Sequence, residues 1–187
     1  MLTALLIVPY FGTPTAARAV STNVGYKTFT YQATTPQGTR TYQASIWYPT
    51  SAAPSSINYG GTSSLVAQNA AVTSGSHPTV IFSHGDLGCA TQSAFITESL
   101  AKAGYVVAAI SYQDAATSCG GTGTQSDQPN FTSASSWTST SYLYRSYDTK
   151  AFIDQLTSQN TDPASLFYGS MDLNNLGFIG HSLGGYT

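Results

Sequence analysis

Two apolar runs separated by a helical pattern constrain the fold of this chain more than any other feature. The first run, Pro78–Gly85, is bounded by turn residues, and the second, Tyr105–Ile110, follows Gly104. Between them, apolar residues recur at helical spacing: Phe95, Ile96, Leu100 and Ala103. A strand, a helix and a strand in succession form a βαβ unit, which requires a parallel sheet and a right-handed crossover. We therefore predict an α/β fold with a mostly parallel sheet and flanking helices.

An antiparallel hairpin is predicted before this unit. Residues Tyr26–Thr34 and Thr39–Tyr48 alternate between polar and apolar or aromatic side chains, and Pro36-Gln37-Gly38 separates them. We expect Pro49 to end the second strand. Residues 51–77 are rich in Ser, Ala, Gly and Asn, which predicts an irregular surface insertion with one short helix near residues 64–71.

After the βαβ unit, the sequence predicts a long loop, a helix and a last strand. Residues 114–140 are rich in Gly, Ser and Thr, and such a loop at the carboxyl edge of a parallel sheet is placed to contact a ligand. The helix is predicted over Tyr142–Gln159, and a short apolar run at Leu176–Ile179 predicts the strand. One side of the helix is apolar (Phe152, Ile153, Leu156), and its polar positions include Arg145, Asp148, Lys150 and Asp154.

The last predicted strand runs directly into Gly180-His181-Ser182-Leu183-Gly184-Gly185. The pattern Gly-x-Ser-x-Gly is typical of a nucleophile elbow, in which a serine lies on a tight strand-to-helix turn with its hydroxyl exposed. Gly180 and Gly184 fit that turn because larger side chains would clash there. The pattern by itself is weak evidence, and its position after a buried strand gives it weight.

Composition indicates one exported globular domain. The 187 residues are 41% hydrophobic but only 7% charged, against about a quarter in average proteins. The net charge is -2 and the few basic residues lie far apart, which argues against a nucleic-acid partner. Residues 1–19 resemble a signal peptide with a small-x-small site at Ala17-Arg18-Ala19, leaving 20–187 as the N-terminal portion of one domain; a frayed strand or a misassigned start is the alternative. The apolar stretch at Leu2–Phe11 is too short to span a membrane.

The two cysteines, Cys89 and Cys119, each follow a predicted strand of the parallel sheet. In an exported protein they are expected to form a disulfide, because parallel strands end at the same edge of a sheet; two unpaired thiols are the alternative. No cluster of His, Cys or acidic residues has the spacing of a zinc site, and no cofactor is implied.

Several motifs together resemble the α/β-hydrolase superfamily. They are the strand that ends in Ser83-His84-Gly85-Asp86-Leu87-Gly88, the crossover into Val106–Tyr112, and the elbow around Ser182. Within the superfamily, Phe-Ser-His-Gly, Ala-Gly-Tyr-Val-Val-Ala and Gly-His-Ser-Leu-Gly-Gly-Tyr resemble the platelet-activating-factor acetylhydrolase and dienelactone-hydrolase-like serine esterases. The similarity covers Tyr26–Thr187.

The resemblance implies a serine esterase with an acyl-enzyme on Ser182. The backbone N–H of Leu183 would be one oxyanion donor, and Asp86 or Leu87 would supply the other. The carboxylate of Asp86 must then point away from the developing negative charge. Three aromatic residues are candidates for the ester pocket, although each also suits the core or the surface: Tyr112, Trp137 and Tyr142.

The resemblance also implies that the catalytic acid and base follow the elbow, in the order Ser, Asp or Glu, His. His84 and His181 flank the site and His77 precedes a strand, so all three are interpreted as structural. Asp148 and Asp154 are interpreted as solvated or helix-capping carboxylates, whereas Asp114 is a candidate for orienting the loop after its strand.

We therefore expect these 187 residues to lack the acid and base, to be inactive alone, and to expose the elbow strand as an apolar edge. The expected substrates are carboxylic esters, with phospholipid acyl esters favoured by resemblance and small-molecule or polyester substrates also open. The alternatives are a secreted protein that keeps the fold without catalysis, and a gene fragment without independent function. The sequence does not indicate an oligomeric state.

Overall fold

The computed structural model describes residues 23–59, 61–122 and 139–187, with the backbone alone for 139–143. Seven strands form one sheet: β1 (Asn23–Thr35), β2 (Gly38–Thr50), β3 (Ser55–Asn58), β4 (Ser63–Gln68), β5 (His77–Ser83), β6 (Val106–Ser111) and β7 (Met171–Gly180). Two α-helices accompany it: α1 (Ala94–Lys102) and α2 (Ser139–Thr161). Short 3₁₀ helices lie at Thr117–Cys119 and Ser182–Tyr186.

The sheet is parallel where the functional motifs lie. Its strand order is β3-β4-β1-β2-β6-β5-β7, and β5 runs parallel to both β6 and β7. Strand β2 runs antiparallel to β1 and to β6, its neighbours on either side. The predicted βαβ unit is therefore present as β5-α1-β6. Because parallel strands end at one edge, the loops after β5, β6 and β7 emerge together.

The predicted hairpin is confirmed as β1 and β2, which pair along their whole length. Gly38 begins β2 with a φ of 108°, a left-handed conformation that glycine adopts without strain. The expectation that Pro49 ends the strand was wrong, since Pro49 pairs with Val24 inside β2. The position tolerates proline because β6 pairs only with Gln43–Trp47 and needs no N–H donor from Pro49.

The segment predicted as an irregular insertion with a short helix forms two strands instead. Strand β4 pairs antiparallel with β3 and makes a short parallel contact with β1, where Gly25 lies beside Ala67. Val66 is fully buried and packs in the same cluster as Trp47 and Phe82. Pairing with the edge of β1 and burial of Val66 outweigh the weak local preference of these residues for a helix.

Hydrophobic cores cover both faces of the sheet. Strand β6 is buried on both sides, with Ala108 and Ile110 in one cluster and Val107 and Ala109 in the other. Such two-sided burial is expected of a central strand in a parallel sheet. Helix α2 packs on the first face through Phe152 and Leu156, and α1 packs on the second through Ala101.

The apolar faces predicted for the two helices were partly wrong. Helix α1 buries Ala94, Thr97 and Ala101, while Phe95 is 73% exposed, because small side chains let the helix approach the sheet closely. In α2, Phe152 and Leu156 are buried as predicted. Arg145 and Asp148, which were assigned to polar positions, lie on the same buried stripe with spacings of three and four residues.

Candidate active site

Ser182 lies at the carboxyl end of β7, at the first position of the 3₁₀ turn 182–186. Its φ is 49°, a left-handed conformation that is strained for a residue with a side chain. A side chain at Gly180 would overlap the carbonyl of Gly184, and one at Gly184 would overlap the carbonyl of Ser83. Ser182 itself is exposed, so the tight turn presents its hydroxyl at the surface.

The turn packs directly on the backbone at the end of β5. The His181 N–H donates to the Ser83 carbonyl at 3.0 Å, and the Gly184 N–H donates to the His181 carbonyl at 2.8 Å. The His181 ring lies over Gly85, where a Cβ would approach its Nδ1 to 2.7 Å. These contacts place Ser182 beside the start of the loop at residues 84–93.

That loop begins with a β-turn over residues 85–88. The Gly88 N–H donates to the Gly85 carbonyl at 3.1 Å, and Leu87 has a φ of 51°, as the third position of a turn with a left-handed residue requires. The Gly85 N–H donates to Gln92 Oε1 at 2.7 Å and ties the turn to the end of the loop. The two candidate oxyanion donors, Asp86 and Leu87, therefore occupy the middle of the turn and are both half-buried.

A buried arginine of α2 holds the base of this loop. Arg145 is 5% exposed and pairs with Asp114 in the loop after β6, with nitrogen–oxygen distances of 3.2 and 2.5 Å. Its guanidinium also donates to the His84 carbonyl at 2.7 Å and to the Gly85 carbonyl at 3.3 Å. The Tyr112 ring lies 4.5 Å away. The sequence did not predict the buried position of Arg145, because charged residues are rarely fully buried.

His84 is locked as a neutral imidazole. Its Nδ1–H donates to the Gly85 carbonyl at 2.6 Å, and its Nε2 accepts from the Tyr112 N–H at 3.0 Å. Burial and, to a smaller extent, the nearby Arg145 charge lower the His84 pKa to about 4. With both ring nitrogens occupied, His84 cannot take a proton from Ser182.

His77 lies at the other end of β5. Its ring contacts the carbonyls of Thr73 at 2.8 Å and Gly104 at 3.0 Å and so ties two loops together. This end of the strand is remote from the elbow, which follows the carboxyl ends of the strands. Its contacts are those of a structural histidine.

The structure joins Cys89 and Cys119 in a disulfide with a Cα–Cα distance of 5.7 Å. The bond connects the loop after β5 to the loop after β6. Two backbone donors support the same connection: the Ala116 N–H to the Gly88 carbonyl at 3.3 Å, and the Ala90 N–H to Ser111 Oγ at 3.2 Å. The loop beside Ser182 is thus held by Arg145 from α2 and by the disulfide from the neighbouring loop.

Asp148 is not the solvated or capping carboxylate that the sequence suggested. It is 1% exposed, accepts a hydrogen bond from the Tyr42 hydroxyl at 2.7 Å and lies 3.3 Å from Arg40. Burial raises its pKa, and the Tyr42 hydrogen bond and the Arg40 charge partly offset that effect. The group ties α2 to β2. Asp154 is exposed and pairs with Lys150 at 2.6 Å, as a solvated carboxylate would.

A cavity of about 340 Å³ adjoins the elbow. It is lined by β5 and β7, by Thr149 of α2 and by the elbow itself, with Ile81, Ser83, Tyr112, Phe178 and Ile179 among the side chains. Tyr112 thus lines a cavity beside Ser182, and its hydroxyl hydrogen-bonds Thr149 at 2.9 Å. Trp137 and the side chain of Tyr142 lie outside the described residues, as do residues 1–19.

Within residues 23–59, 61–122 and 139–187, no three His, Cys, Asp or Glu side chains are grouped closely enough to hold a metal ion. No helix in the same part of the chain has the length and apolar character needed to cross a membrane.

The sheet order, the parallel strands β6-β5-β7 and the strained serine after β7 together define an α/β-hydrolase fold. A solved ferulic acid esterase from Streptomyces cinnamoneus has the same fold, with a TM-score of 0.63 and 22% sequence identity. The match covers 91% of this chain and 55% of that enzyme, so the chain spans about half the length of its structural neighbour. No curated protein matches the sequence.

The chain belongs to the family of platelet-activating factor acetylhydrolase, isoform II, whose model matches residues 52–160, more than half of the sequence. The matched range contains the loop at residues 84–93, Asp114 and Arg145, and it ends before β7. The resemblance found in the motifs is thereby confirmed at the level of the family and the fold.

Proposed function

We propose that the protein is a serine hydrolase of carboxylic esters with Ser182 as its nucleophile. The observation that carries the proposal is the position of Ser182: exposed, left-handed and seated on a turn that packs against the Ser83–Gly85 backbone. A strained turn of this kind costs stability and persists where the surrounding structure enforces it. Exposure of the hydroxyl next to a loop of backbone N–H groups suits attack on a carbonyl.

In the proposed reaction, Ser182 Oγ attacks the ester carbonyl while a base accepts its proton. The tetrahedral intermediate collapses, the alcohol leaves with that proton, and water then hydrolyses the acyl-enzyme by the same steps. The oxyanion is stabilised by the Leu183 N–H and by one N–H of the turn at Asp86 or Leu87. Each such donor contributes about 3 to 4 kcal/mol to stabilisation of the transition state.

The general base and its carboxylate partner are proposed to lie outside these 187 residues. The sequence has three histidines: both ring nitrogens of His84 are occupied, His77 lies at the far end of β5, and the His181 ring packs over Gly85. A polypeptide limited to these residues is accordingly expected to lack ester turnover.

The acyl group of the substrate is proposed to be short and uncharged. The cavity beside the elbow measures about 340 Å³, and the described side chains that line it are uncharged; pockets of that size lie at the small end of the range for ligands. Phospholipid acyl esters are the favoured class because the family is named for an acetylhydrolase. Small-molecule and polyester substrates remain within the same chemistry.

We also propose that the protein is exported from the cell. The Cys89–Cys119 disulfide and the low content of charged residues both suit an oxidising, extracellular setting. Residues 1–19 would act as the signal and 20–187 as part of one hydrolase domain. Sequencing of the N-terminus of protein recovered from the culture medium tests this proposal, and an intact Met1 in secreted protein would contradict it.

The central experiment is covalent labelling of the full-length protein with an alkyl phosphonate probe, followed by peptide mapping. Label on Ser182, with loss of label and of ester hydrolysis in Ser182→Ala, is the expected result. Ser165→Ala, at a serine that hydrogen-bonds Gln159 far from the elbow, is the control and should label normally. A folded protein that neither labels nor hydrolyses esters would favour the alternative of a secreted protein that keeps the fold without catalysis.

A further inference from the structure

We infer that Arg145 is a positioning residue: it clamps the peptide group between Gly85 and Asp86 and so holds the Asp86 N–H in place as a donor to the oxyanion. The inference rests on the proposed function.

The carbonyl oxygen of Gly85 accepts three hydrogen bonds. They come from Arg145 Nη2 at 3.3 Å, His84 Nδ1 at 2.6 Å and the Gly88 N–H at 3.1 Å. The preceding carbonyl, that of His84, is held by Arg145 Nη1 at 2.7 Å. One guanidinium therefore fixes two successive peptide groups at the entrance to the turn.

Fixing the Gly85 carbonyl also fixes the Asp86 N–H, because both belong to one planar peptide group. The described chain contains no cis peptide bond, so the two groups point in opposite directions. The carbonyl points to the buried guanidinium, and the N–H therefore points away from it. The Leu87 N–H belongs to the next peptide group, whereas the Arg145 hydrogen bonds go to the carbonyls of His84 and Gly85, so the clamp acts directly on the Asp86 donor.

Arginine suits this task better than lysine does. Its planar fork donates to Asp114 and to both carbonyls at once, whereas a lysine ammonium is a single point charge. A buried ion pair gives little net stability compared with apolar residues of similar volume. Arg145 also donates to the His84 and Gly85 carbonyls. The buried Arg145–Asp114 pair therefore has a role in shaping the loop.

The test compares Arg145→Lys and Arg145→Met with a matched pair, Arg40→Lys and Arg40→Met, in the full-length protein. Arg40 also pairs with a buried aspartate, Asp148, but contacts neither the loop nor the elbow. For each folded variant we would measure kcat and KM for a short acyl ester, and the affinity for a trifluoromethyl ketone. The ketone forms a hemiketal on Ser182 and so reports the oxyanion site directly.

We expect Arg145→Met to lower kcat about 100-fold with KM little changed, as loss of one aligned donor does. Ketone affinity should fall by the same factor. Arg145→Lys should lower both about tenfold, and the Arg40 variants should change neither by more than about twofold. If Arg145→Met does not fold, Arg145→Lys is compared with Arg40→Lys instead, since lysine keeps the positive charge opposite Asp114.

Arg145→Lys with ketone affinity and kcat within twofold of wild type would overturn the inference. Equal losses in the Arg40 and Arg145 variants would also overturn it, because they would show a general effect of breaking a buried ion pair. Failure of the proposed function looks different: wild-type protein would leave Ser182 unlabelled. If the wild type is labelled and Arg145→Lys keeps its kcat and ketone affinity, the proposed function stands and only the role of Arg145 is overturned.

Discussion

Gly184 makes the closest backbone approach in the elbow, which leaves no room for a side chain. A Cβ at this position would overlap the carbonyl of Ser83 and crowd that of His84. We predict that Gly184→Ala destabilises the protein by about 2 to 4 kcal/mol and abolishes labelling of Ser182. Gly185→Ala is the control, since its Cβ would come no closer than 3.9 Å to the Gly180 carbonyl. Urea denaturation and phosphonate labelling of both variants test the prediction, which fails if the two behave alike.

The buried His84 side chain is expected to make the free energy of unfolding depend on pH. In the folded protein its pKa is lowered to about 4, mainly by burial and further by Arg145, and Asp114 acts in the opposite direction. The unfolded chain binds a proton near pH 6.5, and the folded chain does not until about pH 4. The neutral His84 ring therefore makes its full contribution to the free energy of unfolding above pH 6.5, and this contribution is lost as the pH falls from 6.5 toward 4. The loss is on the order of 3 kcal/mol.

His84→Asn isolates this contribution, because asparagine keeps a donor for the Gly85 carbonyl and does not titrate. The difference in unfolding free energy between wild type and variant should stay constant above pH 6.5 and shrink below it. Denaturant titrations at several pH values between 4 and 8 provide the measurement. A difference that does not vary with pH would contradict the assignment.

At the residue scale, sequence patterns predicted the tight turn at Ser182 and its glycines but not the buried charges near it. The elbow is recognisable because a strained turn imposes residue types at fixed spacing. Arg145, Asp114 and Asp148 obey no such local rule: their burial depends on partners 31 to 108 residues away in the chain. A charged residue on an otherwise apolar helix stripe, such as Arg145 seven residues before Phe152, was the available signal.

Among the elements, the loop at residues 84–93 depends on the Cys89–Cys119 disulfide. The two cysteines are separated by 30 residues, and closing a loop of that length in the unfolded chain contributes about 3 to 4 kcal/mol. We predict a loss of that size in the double variant Cys89→Ser/Cys119→Ser, together with slower labelling of Ser182. Chemical denaturation with and without reductant measures it. An unfolding midpoint that reductant leaves unchanged would contradict this prediction.

Strands β3 and β4 show which elements escaped prediction. Four of their ten residues are serine, Leu65 is 63% exposed, and only Val66 and Ala67 of β4 are buried. Such strands carry little periodicity of their own and form because the edge of β1 offers pairing partners. The βαβ unit was predictable for the opposite reason, since β5 and β6 are buried on both faces and appear in the sequence as continuous apolar runs.

For the molecule as a whole, the sheet of the described chain ends at β7, an edge strand that exposes both polar and apolar side chains. Phe178 is 59% exposed, and Tyr186 in the adjoining turn is 54% exposed. We predict that a polypeptide of these 187 residues self-associates through β7, because an edge strand with an exposed aromatic side chain is a template for pairing. Phe178→Lys should reduce association in analytical ultracentrifugation. Phe95→Lys, at an exposed phenylalanine on α1, is the control and should have little effect.

The sequence was sufficient for the overall fold because the order of strong elements leaves few topologies for a parallel sheet. It was also sufficient to predict the tight turn at Ser182, which the structure shows with a φ of 49°. It could not predict that Arg145 of α2 clamps the peptide group that carries the Asp86 N–H, because local patterns do not encode hydrogen bonds from a distant helix.

The disulfide also bears on the order in which the protein can assemble. Strands β5 and β6 are neighbours in the sheet, and α1 alone connects them, so β5-α1-β6 can pair without any later part of the chain. Cys89 and Cys119 both precede β7 in the chain, so they can join once β5-α1-β6 has formed in an oxidising compartment. The loop at residues 84–93 can therefore be fastened before β7 pairs with β5 and brings Ser182 to it.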